Sequence, residues 1–233
     1  MKAKIIELDE IDSTNLFCKR YDIDRLDCDL IVAAKRQSGG RGTKGRNYVS
    51  EEGGLYLSIM RKLKDFDFAN TFTIMVNACV AVCKTLQETG LNPTIKWAND
   101  VLVGGKKISG TLIENTLLSG GVCVSIVGIG INVNNSLPKE LENIATSVKE
   151  QTGKEHSVKR MRDILIKNLQ KGYTVEDYKR SVDWFGQEVE LITGDERVSA
   201  VATDVDNDGS LVCNIGGALR KINSAEMSLR LKG

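Results

Sequence analysis

A chain of 233 residues with 41% hydrophobic side chains is long enough to bury a sizeable core, as one large domain or one domain plus a small appendage. Its 32 basic and 31 acidic residues leave a formal net charge of +1, which excludes a global field drawing it to nucleic acid or an anionic membrane. Any anion site is therefore local. The opening MKAKIIELDE meets acid before an apolar signal core could form, and no apolar run nears a membrane span, so the cytoplasm is the expected compartment. The 6 cysteines contain no C-x-x-C pair and read as reduced thiols packed as small hydrophobes.

Residues 4–8 read as a strand, followed by DSTNLFCKRY, where Asp12 or Ser13 is an N-cap and Leu16, Phe17 and Arg20 follow at helical spacing. LIVAA (30–34) is short enough for a buried strand and leads into GGRGTKGRNYVS (39–50), after which LYLSIMR resumes a strand. From 70 to 90, Phe72, Val76, Cys79, Val80, Cys83 and Leu86 keep helical period, with Gly90 as the stop. TIKW, VLV, KKISGTLIENTLL and GVCVSIVGIGINV then predict an antiparallel meander turning at Gly104-Gly105 and Ser119-Gly120-Gly121. Between 138 and 184 the pattern predicts two or three amphipathic helices covering one sheet face. From 186 onward EVELIT, RVSAVATDV, SLVCNI and ALRKI are short strands between turn residues. The expected fold is α+β: a mixed, mostly antiparallel sheet with helices over 1–184, then a small β-barrel over 185–233.

Gly40, Gly42 and Gly45 spell G-x-G-x-x-G after a strand, but a dinucleotide fingerprint needs a helix opening at the last glycine, and here the chain runs on into another strand. A Walker A loop fails because Arg46-Asn47 follows Gly45, and kinase HRD and DFG motifs are absent. A solvated hairpin remains open as a reading. Against it, Lys35, Arg36, Arg41, Lys44 and Arg46 crowd twelve positions without an acid, and glycine-freed N–H groups beside guanidiniums suit phosphate or carboxylate.

KWANDVLVGGKKISGTLIE (96–114) admits two readings. Asn99-Asp100 are turn formers and Lys106-Lys107 an exposed hairpin flank, or lysines on paired strands face a reacting phosphate while Asp100 holds a metal or orients an amine. VGIGINVNN (127–135) places Gly128 and Gly130 inside a strand, where a ligand can approach the backbone, with Asn132 able to read a polar group. DVDNDG (204–209) copies half a calcium loop, but position twelve is Ile215, so a β-turn is the better reading. His156 is the sole histidine, which removes Ser-His-Asp and Cys-His catalysis and histidine-rich metal sites; no metal ligand is assigned.

In this order the segments resemble the catalytic core of biotin–protein ligases, which carry S-T-N near the start, Q-x-x-G-R-G-x-x-G-R-x-W, K-W-P-N-D with K-K-x-x-G, G-I-G-x-N and a terminal E-x-S-L-R. Here these stand as Ser13-Thr14-Asn15, QSGGRGTKGRNY, KWAND with KKISG, GIGIN and AEMSLR, across nearly the whole chain. The resemblance implies an SH3-like barrel at the C-terminus and two-step chemistry: biotin and ATP give biotinyl-5′-AMP and pyrophosphate, and a lysine of a biotin carboxyl carrier protein then displaces AMP. It implies Lys107, Arg41 and Asp100 as catalytic. Ser13, Thr14, Asn15, Gln37, Gly40, Arg41, Gly42, Thr43, Lys107 and Gly110 would line the biotin side. Arg41, Arg46, Tyr48, Asn99, Lys107, Asn132 and Arg230 would line the ATP side, with Mg2+ accompanying ATP. With no helix-turn-helix ahead of residue 4, no DNA binding is expected; a homodimer is left open. Three departures stand out: Thr43 where bifunctional ligase–repressors have an arginine linked to adenylate retention, Tyr48 for Trp, and Ala98 for Pro. A lipoate–protein ligase and a non-catalytic binding regulator are the rival readings; the former's R-R-x-x-G-G-G-x-V-x-H stretch is missing.

Overall fold

The computed structural model describes residues 3–64, 66–67, 71–223 and the strand at 228–231. Its larger sheet has seven strands in the order β1-β2-β3-β7-β6-β5-β4. These are β1 (Ala3–Ile11), β2 (Asp29–Gln37), β3 (Leu55–Leu63), β4 (Thr94–Lys96), β5 (Asp100–Val103), β6 (Lys106–Leu117) and β7 (Cys123–Ile131). Only β1 and β2 pair in parallel, and the helix α1 (Thr14–Arg20) is the crossover such a pair requires. Gly104 and Gly105, at φ 58° and 76°, supply the two positive-φ positions of a tight hairpin between β5 and β6.

The strands alternate, and each face has its own cover. Ile31, Leu57, Ile59, Val127, Ile129 and Ile131 lie under α2 (Thr71–Gln87), whose buried residues run almost all round the helix because α4 (Val158–Leu169) and α5 (Val175–Arg180) pack on its far side. The expected amphipathic helices thus number three, with α3 (Val148–Thr152), and α4 and α5 meet the sheet mainly through α2. Each starts on a side-chain cap, Ser147, Ser157 or Thr174, the last a full capping box with Asp177. On the other face Leu30, Val32, Met60, Val124 and Ile126 pack under Cys18 of α1. That apolar patch stops at Gly128, Gly130 and Gly110, where Gly110 and Gly130 are cross-strand partners and Gly128 sits opposite Leu112. Three missing side chains in the middle of paired strands leave a trough.

The C-terminal strands β8 (Glu188–Thr193), β9 (Glu196–Val205), β10 (Leu211–Ile215), β11 (Ala218–Ile222) and β12 (Ser228–Leu231) form an antiparallel sheet in the order β11-β10-β9-β8-β12. Its outer strands are not hydrogen-bonded to one another, so the expected barrel is an open five-stranded sheet among the described residues. Val189, Leu191, Ala200, Val205 and Leu211 join the same core as α2. Residues 206–209 form a turn, as read from DVDNDG, and the Gly209 carbonyl accepts from Trp97 Nε1 at 2.9 Å. All six cysteines are free, five of them buried, and burial pushes the Cys18 thiol up to about 12. Among the described residues no helix is long and apolar enough to cross a membrane.

Candidate active site

Over the trough lies a cavity of about 630 Å3 running from α1 to the C-terminal sheet. Its first end is polar and buried. Ser13, Thr14 and Asn15 open α1, and Asp12 Oδ1, rather than a capping side chain of Ser13, accepts the Ser13 N–H at 2.7 Å. Gln37 Oε1 accepts from the Thr14 N–H at 2.8 Å and hydroxyl at 3.1 Å, while Gln37 Nε2 donates to Ser50 Oγ at 2.8 Å. Beneath them Ser58 Oγ stands 2.7 Å from Thr14 Oγ1 and 2.5 Å from Asn15 Oδ1. The Asn15 amide lies where a side chain on Gly128 would be, since a Cβ there would sit 2.2 Å from Oδ1.

The middle of the cavity carries charge. Lys107 Nζ pairs with Asp100 Oδ1 at 2.6 Å, across the β5–β6 ladder, and stands 5.8 Å from the centroid of the Tyr48 ring. The register shift between Val101 and Leu102 leaves Ile108, the residue after Lys107, as the extra one on β6, and the Lys107 backbone is clasped on its outer side: its N–H donates to Ile144 O and its carbonyl accepts from Thr146 N, both at 2.9 Å. Tyr48 spreads across Gly110 and Gly130, where a Cβ would come within 3.3 Å and 2.6 Å of its ring carbons. Its hydroxyl has no partner within the described protein, and burial holds the phenol protonated far above its ordinary value. Asn99 Nδ2 donates to Thr111 O at 2.9 Å, which holds the strand entrance beside Asp100. The neighbouring Trp97–Ala98 peptide is cis, and the Ala98 carbonyl accepts from the Tyr178 hydroxyl at 3.0 Å.

The glycine-rich stretch forms a flap over this centre. Tyr48 N donates to Gly40 O and Gly42 N to Arg46 O, so the loop closes as an irregular hairpin with Lys44 at φ 56°. Arg41, Gly42, Thr43 and Arg46 reach the cavity; the Arg46 guanidinium donates to Thr43 O and Oγ1, and Arg41 Nη1 stands 3.7 Å from Glu114 Oε1. Gly40 does not line the cavity: a Cβ there would strike Tyr48 O and Ser50 Oγ, so its smallness closes the flap. The basic cluster also divides, because side chains alternate along β2: Lys35 turns away to pair with Asp9, and Arg36 pairs with Glu10 and Glu51.

Beyond Lys107 the cavity becomes apolar, walled by Leu102, Leu137, Leu141, Ile144 and Ile192. Sequence reasoning missed this wall. The helical spacing read from 138 onward does not hold here: residues 137–146 contain only a short helical turn at Lys139–Leu141, and they reach the site through backbone bonds to β6 and a bond from Lys106 Nζ to Glu142 O at 2.6 Å. Asn132 lines this end, but its amide donates to Thr146 O and accepts from Asn135, tying the segment to β7. Glu114, also missed, ends its motif and had no assigned partner. Arg230 stands in β12 opposite Glu190, and its side chain lies outside the described residues. His156 lies apart, bonded to Thr152.

A polar pocket, a charged centre under a basic flap and an apolar end make a site for a two-part ligand joined at an anionic group. Comparison with known proteins agrees. The chain is similar to the biotin protein ligase of Aquifex aeolicus solved in complex with biotin and ATP, at 31% identity, with 98% of this chain and 99% of that chain covered and a TM-score of 0.84. It is 32% identical over 222 residues to the bifunctional ligase/repressor BirA of Bacillus subtilis, covering 85% of this chain and 66% of that protein. To the BirA of Escherichia coli it is 27% identical over 244 residues, covering 98% of this chain and 74% of that one. The model of the biotin protein ligase C-terminal domain matches residues 185–230. That of the biotin/lipoate A/B protein ligase family matches residues 8–134, more than half of the chain, and the protein belongs to that family.

Proposed function

We propose that the protein is an ATP-dependent biotin–protein ligase, working in the cytoplasm on a lysine of a biotin carboxyl carrier protein or domain. The polar end of the cavity carries the choice between the family's two acyl groups. Thr14, Asn15, Gln37 and Ser58 are enclosed there, and Ser58 has one hydroxyl hydrogen for two nearby acceptors, while Asn15 and Gln37 each keep a second amide hydrogen. A ureido ring, with N–H donors and a carbonyl acceptor, meets both kinds of vacancy. A dithiolane meets neither and leaves buried polar groups unpaired, a loss of about 1–3 kcal/mol each.

In this reading the biotin carboxylate reaches Lys107 and Arg41. One carboxylate oxygen attacks the α-phosphorus of ATP, the bond to pyrophosphate breaks, and biotinyl-5′-AMP forms. The acceptor amine then attacks the acyl carbon, AMP leaves with the bonding electrons, and the amine proton passes to a base. Lys107 and Arg41 oppose the negative charge gathered on phosphate and carboxylate oxygens. Asp100, held against Lys107, is placed to receive or orient the amine. The nucleotide lies toward Asn99, Asn132 and the apolar wall, with Tyr48 walling the junction and Arg46 on its outer side; Arg230 is assigned to the nucleotide by its sequence motif alone. Mg2+ would arrive with ATP: among the described residues no three acidic, histidine or cysteine side chains cluster as ligands, and Asp100 is the one carboxylate among the cavity-lining residues. That fits an ion held mostly by phosphates and water.

We assign residues 1–184 to substrate binding and catalysis, and 185–233 to a C-terminal unit that closes the apolar end. Ile192 in the cavity wall supports this division. ATP–pyrophosphate exchange, measured with biotin, with lipoate and with neither, tests the whole reading: exchange with biotin alone is expected. Exchange with lipoate only, or none from a folded sample, overturns it.

A further inference from the structure

Glu114 occupies a position that the chemistry above does not use. It stands on β6 facing the ligand side, two residues past Leu112 and four past Gly110, just outside the polar end of the cavity. Its carboxylate accepts two hydrogen bonds, from Asn15 Nδ2 at 2.9 Å on Oε2 and Lys19 Nζ at 2.7 Å on Oε1, and has the Arg41 guanidinium beside it, with Nη1 3.7 Å from Oε1. The first of these is the informative one. An Asn side chain is a donor at one end and an acceptor at the other, and its orientation follows from its partners. An ionised carboxylate can only accept, so it turns the Asn15 NH2 toward itself and leaves Oδ1 toward Ser58 and the cavity. Asn15 is buried and lies against Gly128, which leaves it little room to turn. Burial alone would raise the Glu114 pKa, but the bonds from Lys19 and Asn15 outweigh it and hold the carboxyl below its ordinary range, so the group remains an acceptor.

We propose that Glu114 is a positioning residue for acyl-group recognition: it fixes the hydrogen-bond polarity of Asn15, and so the presentation of an acceptor to an N–H donor of the bound acyl group. The inference rests on biotin being that group. Lys19 and Arg41 then serve to keep Glu114 ionised, and the same carboxylate links the acyl end to the flap.

The test is biotin titration calorimetry with ATP–pyrophosphate exchange on the full chain. In Glu114→Gln the partner of Asn15 can donate as well as accept, so the orientation is no longer imposed; biotin Kd and KM rise on the order of tenfold, the scale of one charged hydrogen bond, while kcat and the ATP KM stay within about twofold. Glu114→Asp keeps the charge near Lys19 but draws the acceptor back from Asn15, and falls with Gln. In an Asn15→Ala background Glu114→Gln adds nothing further. Unchanged biotin affinity in Glu114→Gln, wild-type behaviour in Glu114→Asp, or an equal loss in the Asn15→Ala background overturns the proposal. Thermal melting of each variant separates loss of fold from loss of polarity, and Glu114→Asp supplies the reading if Glu114→Gln does not fold. Wild-type protein that binds no biotin overturns the acyl-group assignment itself, an outcome distinct from all of these.

Discussion

The two faces of the seven-stranded sheet are built from the same strands and do opposite things. On β7, Val127, Ile129 and Ile131 point into the core under α2, while Gly128 and Gly130, alternating with them, clear the floor of the cavity. One face converts side-chain volume into stability; the other gives volume up to make room for ligand. The strand interior is rigid because its opposite side is full, so the emptied face keeps its shape without side chains of its own. A binding floor made of backbone therefore depends on packing one layer below it.

Mutations on either side can break that comparison. The largest effect is expected at the charged centre: Lys107→Ala lowers biotin-dependent pyrophosphate exchange about a thousandfold with the melting temperature nearly unchanged, because the side chain is half-exposed at a hairpin. Exchange near wild type would move the main positive charge elsewhere. Next, Gly128→Ala and Gly130→Ala place a methyl 2.2 Å from Asn15 Oδ1 and 2.6 Å from the Tyr48 ring. Biotin KM should rise about a hundredfold with only a modest stability loss, whereas Ile129→Ala between them should cost about 2–5 kcal/mol in urea unfolding and leave KM alone. Equal behaviour of the three would show that the faces are not independent. Thr43→Arg puts a guanidinium into the flap and should slow biotinyl-adenylate release about tenfold in a stopped-flow chase; an unchanged rate removes any role for this position in retention.

The smallest effect concerns the hinge of α1, where Arg20 donates twice to Asp12 and holds its carboxyl at about 2. A folded-state pKa below the ordinary value of 3.8 means the unfolded chain binds the proton first as pH falls. The pair's contribution is thus complete above about pH 5 and is lost as pH falls through 2, to about pH 1. Both side chains are well exposed, so solvent screens the pair and Asp12→Asn should lower the melting temperature at pH 7 by about 3 °C or less. The difference from wild type should narrow as pH falls through 2 and close only below it.

The strands β1 to β11, the long helix and the meander were legible because hydrophobic period and glycine turns are local signals. The same holds for the motifs, whose residues Ser13 to Asn15, Gln37, Asp100 and Lys107 meet in one cavity. What escaped was set by distant partners. The wall at 137–146 was expected to be helical, but apart from the turn at Lys139–Leu141 it is a loop held by backbone bonds to Lys107. Lys35 and Arg36 looked like part of an anion loop, but strand alternation sends Lys35 to the opposite face, toward Asp9, while Arg36 is taken up by Glu10 and Glu51. Glu114 reads as the end of a strand, and only the fold brings Asn15, Lys19 and Arg41 to it.

The turn at 206–209 carries a consequence for anyone rebuilding this chain from parts. Its glycine, at φ 87°, lies flat on Phe72 and hands a carbonyl to the Trp97 indole, next door to Asn99 and Asp100. A chimaera that exchanges the last fifty or so residues for a foreign sheet must therefore import one small left-handed residue and one free carbonyl at that spot. Without them the graft leaves the Trp97 indole N–H unpaired beside Asn99 and Asp100, and such a chimaera is expected to show weaker biotin-dependent pyrophosphate exchange.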